Sequence, residues 1–215
     1  MKILDIGCGL KKAEIENAEV IGLDFYDTTS ADVICNLEEG KLPFNDNEFD
    51  GIVSKHTLEH INNLLPIVDE MWRVVKNEGL IKIWVPYFAS SLAHSSLDHT
   101  RFFSYTSFYP YREEDTTHYL WHPTTFKVKA KYNWSGHYGL RTISKFIGFI
   151  INKMPRIYQR LFCFILPTEE VYFELEVVKE IKGNPTKEEV LAREKAMDKE
   201  IKEEENINPH TSERR

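Results

Sequence analysis

The 215-residue chain is 42% hydrophobic and 13% aromatic, enough apolar material for one folded domain with a decorated or solvated end. Its longest apolar runs are broken by charge or Pro within a few residues, so no membrane span is predicted, and three unevenly spaced cysteines (Cys8, Cys35, Cys163) make neither a disulfide framework nor a CxxC metal site. The acidic balance, −7 overall, argues against a nucleic-acid partner, and the opening "MKILDIGCG" reads as a buried strand rather than a secretion signal, which predicts a cytoplasmic protein.

Charge is distributed in blocks. Residues 1–123 carry 10 basic and 20 acidic side chains, residues 124–167 carry eight basic and no acidic ones, and residues 168–215 return to a net −5.

In chain order, "KILDIG", "EVIGLD", "DVIC" (32–35), "FDGIVS" (49–54) and "GLIKIWVP" (79–86) are predicted strands. Between the last two, Leu64, Ile67, Val68, Met71, Val74 and Val75 recur at helical spacing, and "NEG" is the expected stop. Strands alternating with helical or loop crossovers predict a parallel sheet with elements on both faces. Residues 87–123 then hold ten aromatics and four histidines (His94, His99, His118, His122) with little periodicity. "FKVKAKYNW" alternates as a solvent-facing edge strand does. Leu140, Ile143, Phe146, Ile147, Ile150, Ile151 and Met154 form a helical stripe, which predicts a helix docked on the sheet with Lys outward and stopped at Pro155. "YFELEVVKE" reads as the final strand, residues 184–215 as a charged helical tail, and the last ten residues as disordered.

"LDIGCG" ends a buried strand on Asp5 and follows it with two glycines one residue apart, a turn that lets a ligand approach the backbone. Asp24 ends the next strand, where a carboxylate can accept two hydrogen bonds from a ribose diol. A dinucleotide fingerprint needs a third glycine at position 12, where Lys12 stands. A cofactor with a ribose and no pyrophosphate fits better, and S-adenosylmethionine is the obvious one.

"LDIGCG", "VIGLD", "LPFNDNEFDGIVSKHTLEHI" and "EMWRVVKNEGLIKIWVP" resemble, in order and spacing over residues 2–110, the class I S-adenosylmethionine-dependent methyltransferases of the type 11-like subgroup. The resemblance implies a Rossmann-like α/β fold, an open, mostly parallel sheet of the seven-strand type with an antiparallel last strand and an inserted aromatic lid. It implies a methyltransferase domain over 1–183, with the lid or substrate insertion at 87–123, basic amphipathic helices at 140–166 and the tail at 184–215. Asp5, Gly7, Cys8 and Gly9 would cradle the methionine end of the cofactor, Asp24 and Phe25 the ribose, Asn36 and Leu37 the adenine, and Ser54, Lys55 and His56 the floor near the sulfonium. The product would be S-adenosylhomocysteine. "DHTRFFSYTSF" (98–108) is similar to a segment of members associated with surface-sugar and lipid-linked glycan pathways, which implies O-methylation of a small-molecule, glycan-like or lipid-linked sugar acceptor. Only Leu10 to Glu19 separates Gly9 from the second strand, too few residues for a full crossover helix, which leaves a degenerate methyltransferase-like partner protein as the alternative. Without the helix that usually precedes the first strand, the pocket is expected to be open.

"HTLEH" (56–60) also spells the H-x-x-E-H of zinc peptidases, but a third ligand with a specific setting is missing. Some quinone O-methyltransferases similar to this family carry E-x-x-E-H here and bind a divalent cation. With His56 in place of the first acid, no metal ligand is assigned. Methyl transfer to a hydroxyl benefits from a base near neutral pKa. His60 and His99 are the candidates, with Asp98 to orient one of them and Arg101 to bind an acidic acceptor group or a carboxylate of the chain. The basic block at 140–166 is a candidate for peripheral contact with an anionic membrane.

Overall fold

The structure, a computed structural model, describes residues 1–28, 30–112, 124–133 and 141–179, with the side chains of 141–146 outside that description. Contacts divide the chain into Met1–Lys179 and Glu180–Arg215. The predicted tail at 184–215, together with His118 and His122, lies outside the described residues.

Seven strands, β1 (Lys2–Ile6), β2 (Glu19–Asp24), β3 (Val33–Ile34), β4 (Phe49–Lys55), β5 (Val75–Pro86), β6 (Phe126–Asn133) and β7 (Glu170–Val177), form one sheet in the order β3-β2-β1-β4-β5-β7-β6. The pairs among β1 to β5 are parallel, and β7 runs antiparallel to both its neighbours, β5 and β6. This is the mixed seven-strand, Rossmann-like sheet expected from the sequence. The order reverses between β1 and β4, which opens a crevice at the carboxyl ends of the strands.

Helix α1 (Leu64–Val74) connects β4 and β5 and buries Leu64, Ile67, Val68, Met71 and Val74 against the sheet. It stops two residues before the predicted "NEG". Val75 leaves the helix to pair with Phe49, and Glu78, not Gly79, takes the left-handed backbone at φ 63°. Gly79 is needed for close approach, because a Cβ there would stand 2.4 Å from Val75 Cγ1 and 2.8 Å from the Asp50 carbonyl oxygen. Between Gly9 and β2 the chain forms turns and no helix, as a connection of nine residues, 10–18, favours.

Among the described residues, the prediction of elements on both faces holds only in part. Along β5, β7 and β6 burial alternates, with Ile81, Ile83, Val171, Phe173, Leu175 and Phe126 inside. The opposite face is a half-exposed polar ladder. Lys82, Glu174 and Lys129 stand in register, Lys129 pairs with Glu174 at 3.0 Å, Lys127 with Glu176 at 2.6 Å, and Trp84 lies on Tyr172. Cross-strand pairs of this kind satisfy a solvated face and need no covering helix.

Two helices, α2 (Arg141–Lys153) and α3 (Pro155–Leu161), lie between β6 and β7 in the chain. Pro155 ends the first and opens the second at the position where a missing N–H costs nothing. The predicted apolar stripe is only partly used. Ile151 is buried and Ile147 packs against the core, whereas Ile150 and Met154 are exposed. The described aromatics of the lid region chiefly extend the core: Tyr87, Phe103, Phe108 and Tyr111 are buried, with Phe108 edge-on to Phe173 and Tyr87 to Tyr132.

Candidate active site

The crevice is a cavity of about 810 Å³ lined by the turns that follow β1, β2, β3 and β4. That volume lies within the roughly 300–1,000 Å³ of pockets that enclose small ligands.

The turn after β1 makes its floor. Gly7 and Gly9 have φ of 74° and 59°, a conformation that other L-residues adopt at a cost. Gly7 is also pressed by Thr57, so that a Cβ on Gly7 would fall 2.0 Å from Thr57 Oγ1, while a Cβ on Gly9 would meet nothing within 4 Å and would project into open space. Asp24 closes the turn by accepting hydrogen bonds from the N–H of Gly9 at 2.8 Å and of Tyr26 at 3.1 Å. Both carboxylate oxygens keep further lone pairs toward the cavity that Asp24 lines. Phe25 and Tyr26 present exposed rings beside it, Asn36 caps the turn at Leu37–Glu39, and Leu37 supplies an apolar wall.

Of the predicted cofactor residues, Gly7, Gly9, Asp24, Phe25, Asn36, Leu37 and His56 line the cavity, and Asp5, Cys8, Ser54 and Lys55 do not. Asp5 is buried and accepts the Ala13 N–H at 2.7 Å, which ties the short crossover down. Burial raises its carboxyl pKa. Ser54 donates to the Ile6 carbonyl oxygen, Cys8 is packed inside, and the Lys55 side chain is exposed. Leu10, Tyr26, Thr28, Glu38, Thr57 and Ile61, with His60 and Asp98 at the rim, complete the lining. Thr57 and Ile61 lie inside the quoted "HTLEHI", and Leu10, Tyr26, Thr28 and Glu38 come from turns whose path only the fold sets.

At the rim, His60 Nδ1 and Asp98 Oδ2 are 3.0 Å apart, and the His60 and His99 rings meet edge to face with centroids 4.7 Å apart. His99 Nδ1 lies 3.1 Å from the Ala93 carbonyl oxygen, an acceptor only, so Nδ1 carries the proton and Nε2 the lone pair in the neutral ring. A hydrogen bond from Ser96, first, and the two histidines hold Asp98 below its ordinary carboxyl pKa. The cluster is assembled when Thr100 and Arg101 donate their N–H groups to the Glu59 carbonyl oxygen. Arg101 is occupied: its guanidinium donates to the carbonyl oxygens of Ile61 and Asn62 and pairs with no carboxylate among the described residues.

His56 is the most constrained side chain of the site. Its φ is 51°, Nε2 is 2.7 Å from Glu170 Oε1, and Nδ1 is 3.4 Å from Oε1 of buried Glu59. Hydrogen bonding to Glu170, then to Glu59, raises its pKa from 6.5 to about 9, so the ring is protonated at neutral pH. Neither Glu59 oxygen has a hydrogen bond of good geometry. One donor atom each of Glu59, His60 and His99 lie within 4.8 Å of one another, a set that suits a borderline cation such as zinc. The charge on Glu59 is already faced by protonated His56, so the carboxylate does not require such an ion.

Residues 4–83 match the family model described as a methyltransferase domain. No curated protein sequence matches the chain. Among solved structures the fold is similar to that of a SAM-dependent methyltransferase from Archaeoglobus fulgidus (18% identity, 81% of this chain and 85% of that one, TM-score 0.56). It is similar also to the YcgJ protein from Bacillus subtilis (14%, 83% and 92%, 0.53). Phosphoethanolamine N-methyltransferase 2 of Haemonchus contortus in complex with S-adenosyl-L-methionine is matched at 13% identity over 83% of this chain, 49% of that chain and TM-score 0.53. Family match and sheet order agree: residues 4–83 are similar to a methyltransferase domain, and the seven-strand sheet has the Rossmann-like fold of the solved methyltransferases. The match supports an enzyme of the transferase type that moves a methyl group.

Proposed function

We propose that the protein methylates an oxygen of a small-molecule or lipid-linked sugar acceptor, with His60 taking the proton. The observation that carries this reading is the His60–Asp98 contact of 3.0 Å at the rim of the cavity. A carboxylate beside Nδ1 keeps the proton on that nitrogen and leaves Nε2 of His60 free to accept one from the acceptor.

The residues present fit the cofactor. Gly9 leaves room against the backbone, Asp24 has lone pairs for two ribose hydroxyls, and Leu37 and Asn36 offer an apolar wall with a polar edge for a base. When bound, S-adenosylmethionine supplies a methyl group already activated by the sulfonium. The protein's remaining work is to align the acceptor oxygen and remove its proton. Protonated His56 is committed to Glu170 and Glu59 and shapes the floor without serving as a base. No resident metal ion is invoked.

The test is transfer of labelled methyl from S-adenosylmethionine to a metabolite and lipid extract, followed by identification of the labelled atom. His60→Ala should lower kcat by about 10²–10⁴-fold with unchanged S-adenosylhomocysteine affinity. Asp98→Asn should lower kcat less and shift the acidic limb of the pH–rate profile, where the base becomes protonated, and a chelator should leave transfer unchanged. Label on an amine nitrogen, or full activity in His60→Ala, would overturn the reading.

A further inference from the structure

Residues 147–166 carry apolar side chains that point away from the protein. Ile150 on α2, Met154 between the helices, Ile157 and Leu161 on α3, and Phe164 and Ile165 in the turn that follows, are all more than 40% exposed, and Phe164 reaches 77%. Between the two helices runs a wholly apolar groove of about 280 Å³. The same elements are anchored from behind by buried Ile151, by Tyr158, whose hydroxyl donates to the Leu166 carbonyl oxygen at 2.7 Å, and by Asn152, which bonds to Tyr132 on β6. An exposed apolar face on an anchored scaffold is more than the scattered surface residues of an ordinary monomer.

Charge indicates what covers it. Lys153, Arg156 and Arg160 are interleaved with the apolar residues, and none pairs with a carboxylate among the described residues; residues 124–167 contain eight basic side chains and no acid. The rest of the chain is acidic, so this face is set apart in sign as well as in polarity. Two copies meeting through it would juxtapose like charges with no counter-charge of their own. A bilayer with anionic headgroups offers both complements at once, negative charge at the depth of the guanidinium groups and hydrocarbon beneath for the apolar turn.

We propose that α2, α3 and the 162–166 turn dock the enzyme peripherally on an anionic membrane surface. No helix among the described residues is long and apolar enough to cross one. Docking would bring the methyl-transfer site to a lipid-linked acceptor, but it does not depend on that acceptor's identity.

Vesicle flotation of the full chain reads docking without any methyl transfer. The protein should float with vesicles of equal phosphatidylglycerol and phosphatidylcholine and not with phosphatidylcholine alone. Phe164→Ser with Ile165→Ser, and separately Arg156→Gln with Arg160→Gln, should each weaken binding by about tenfold or more, with S-adenosylhomocysteine affinity unchanged as a check of folding. No flotation of the wild-type chain, or flotation insensitive to both pairs, would overturn the proposal. So would a wild-type dimer that both pairs convert to monomers without any vesicle binding, since the face would then be a self-association surface.

Discussion

His56 is held in the left-handed backbone region between Glu59, three residues ahead, and Glu170, which is 114 residues away. The first contact is visible in "HTLEH". The second is not, because it exists only once β7 inserts antiparallel beside β5 and brings Glu170 level with the end of β4. The fold raises His56 from 6.5 to about 9, so its contribution to stability is complete below pH 6.5 and is lost as pH rises through about 9. Glu170 is lowered, first by His56, and its contribution is lost on the acid side as pH falls below the ordinary carboxyl value of 4.5. The melting temperature should therefore fall between pH 7 and 10 in the wild type. His56→Gln should flatten that dependence and destabilise the protein at pH 7 by about 3 kcal/mol, since two poorly solvated carboxylates lose their partner. An unchanged pH–stability curve in the variant would show that the pair does not couple. His60, His99 and Asp98 were legible as candidates by residue type alone, but their convergence depends on the Thr100 and Arg101 N–H groups reaching the Glu59 carbonyl oxygen.

At the level of elements, the strands were the most legible part because their apolar runs end in residues with a task. Gly7 turns the chain after β1, and Asp24 at the end of β2 fastens that turn through Gly9. Helix α1 was equally plain, since all five of its buried residues fall on one stripe. The stripe on α2 predicts a docked core face, and of its described residues Ile147 and Ile151 face the core while Ile150 and Met154 do not, because periodicity states which residues share a side and not how much of that side the sheet can cover. The distinction can be measured. Ile151→Ala should cost about 2–5 kcal/mol in chemical denaturation, as core truncations do, whereas Ile150→Ala should change stability by no more than about 0.5 kcal/mol. Equal losses would mean that the whole stripe is buried. The polar ladder on β5, β7 and β6 was missed in the same way. Alternation in "FKVKAKY" and "YFELEVV" was noted strand by strand, but the match of Lys82, Glu174 and Lys129 requires the register.

For the whole molecule, the strand order β3-β2-β1-β4-β5-β7-β6 puts four ligand-facing turns at one edge and leaves the first crossover without a helix. The cavity is correspondingly formed by turns, which are fastened in part by hydrogen bonds that Asp5 accepts from the Ala13 N–H and Asp24 from the Gly9 and Tyr26 N–H groups. The central claim is that this cavity is the cofactor site, and calorimetric titration with S-adenosylhomocysteine tests it most directly. The wild-type chain should bind one equivalent with a dissociation constant of roughly micromolar order, and Asp24→Ala, which removes both the proposed ribose acceptor and the Gly9 tie, should abolish the heat. Absence of binding in the wild type, or undiminished binding in Asp24→Ala, would contradict the account.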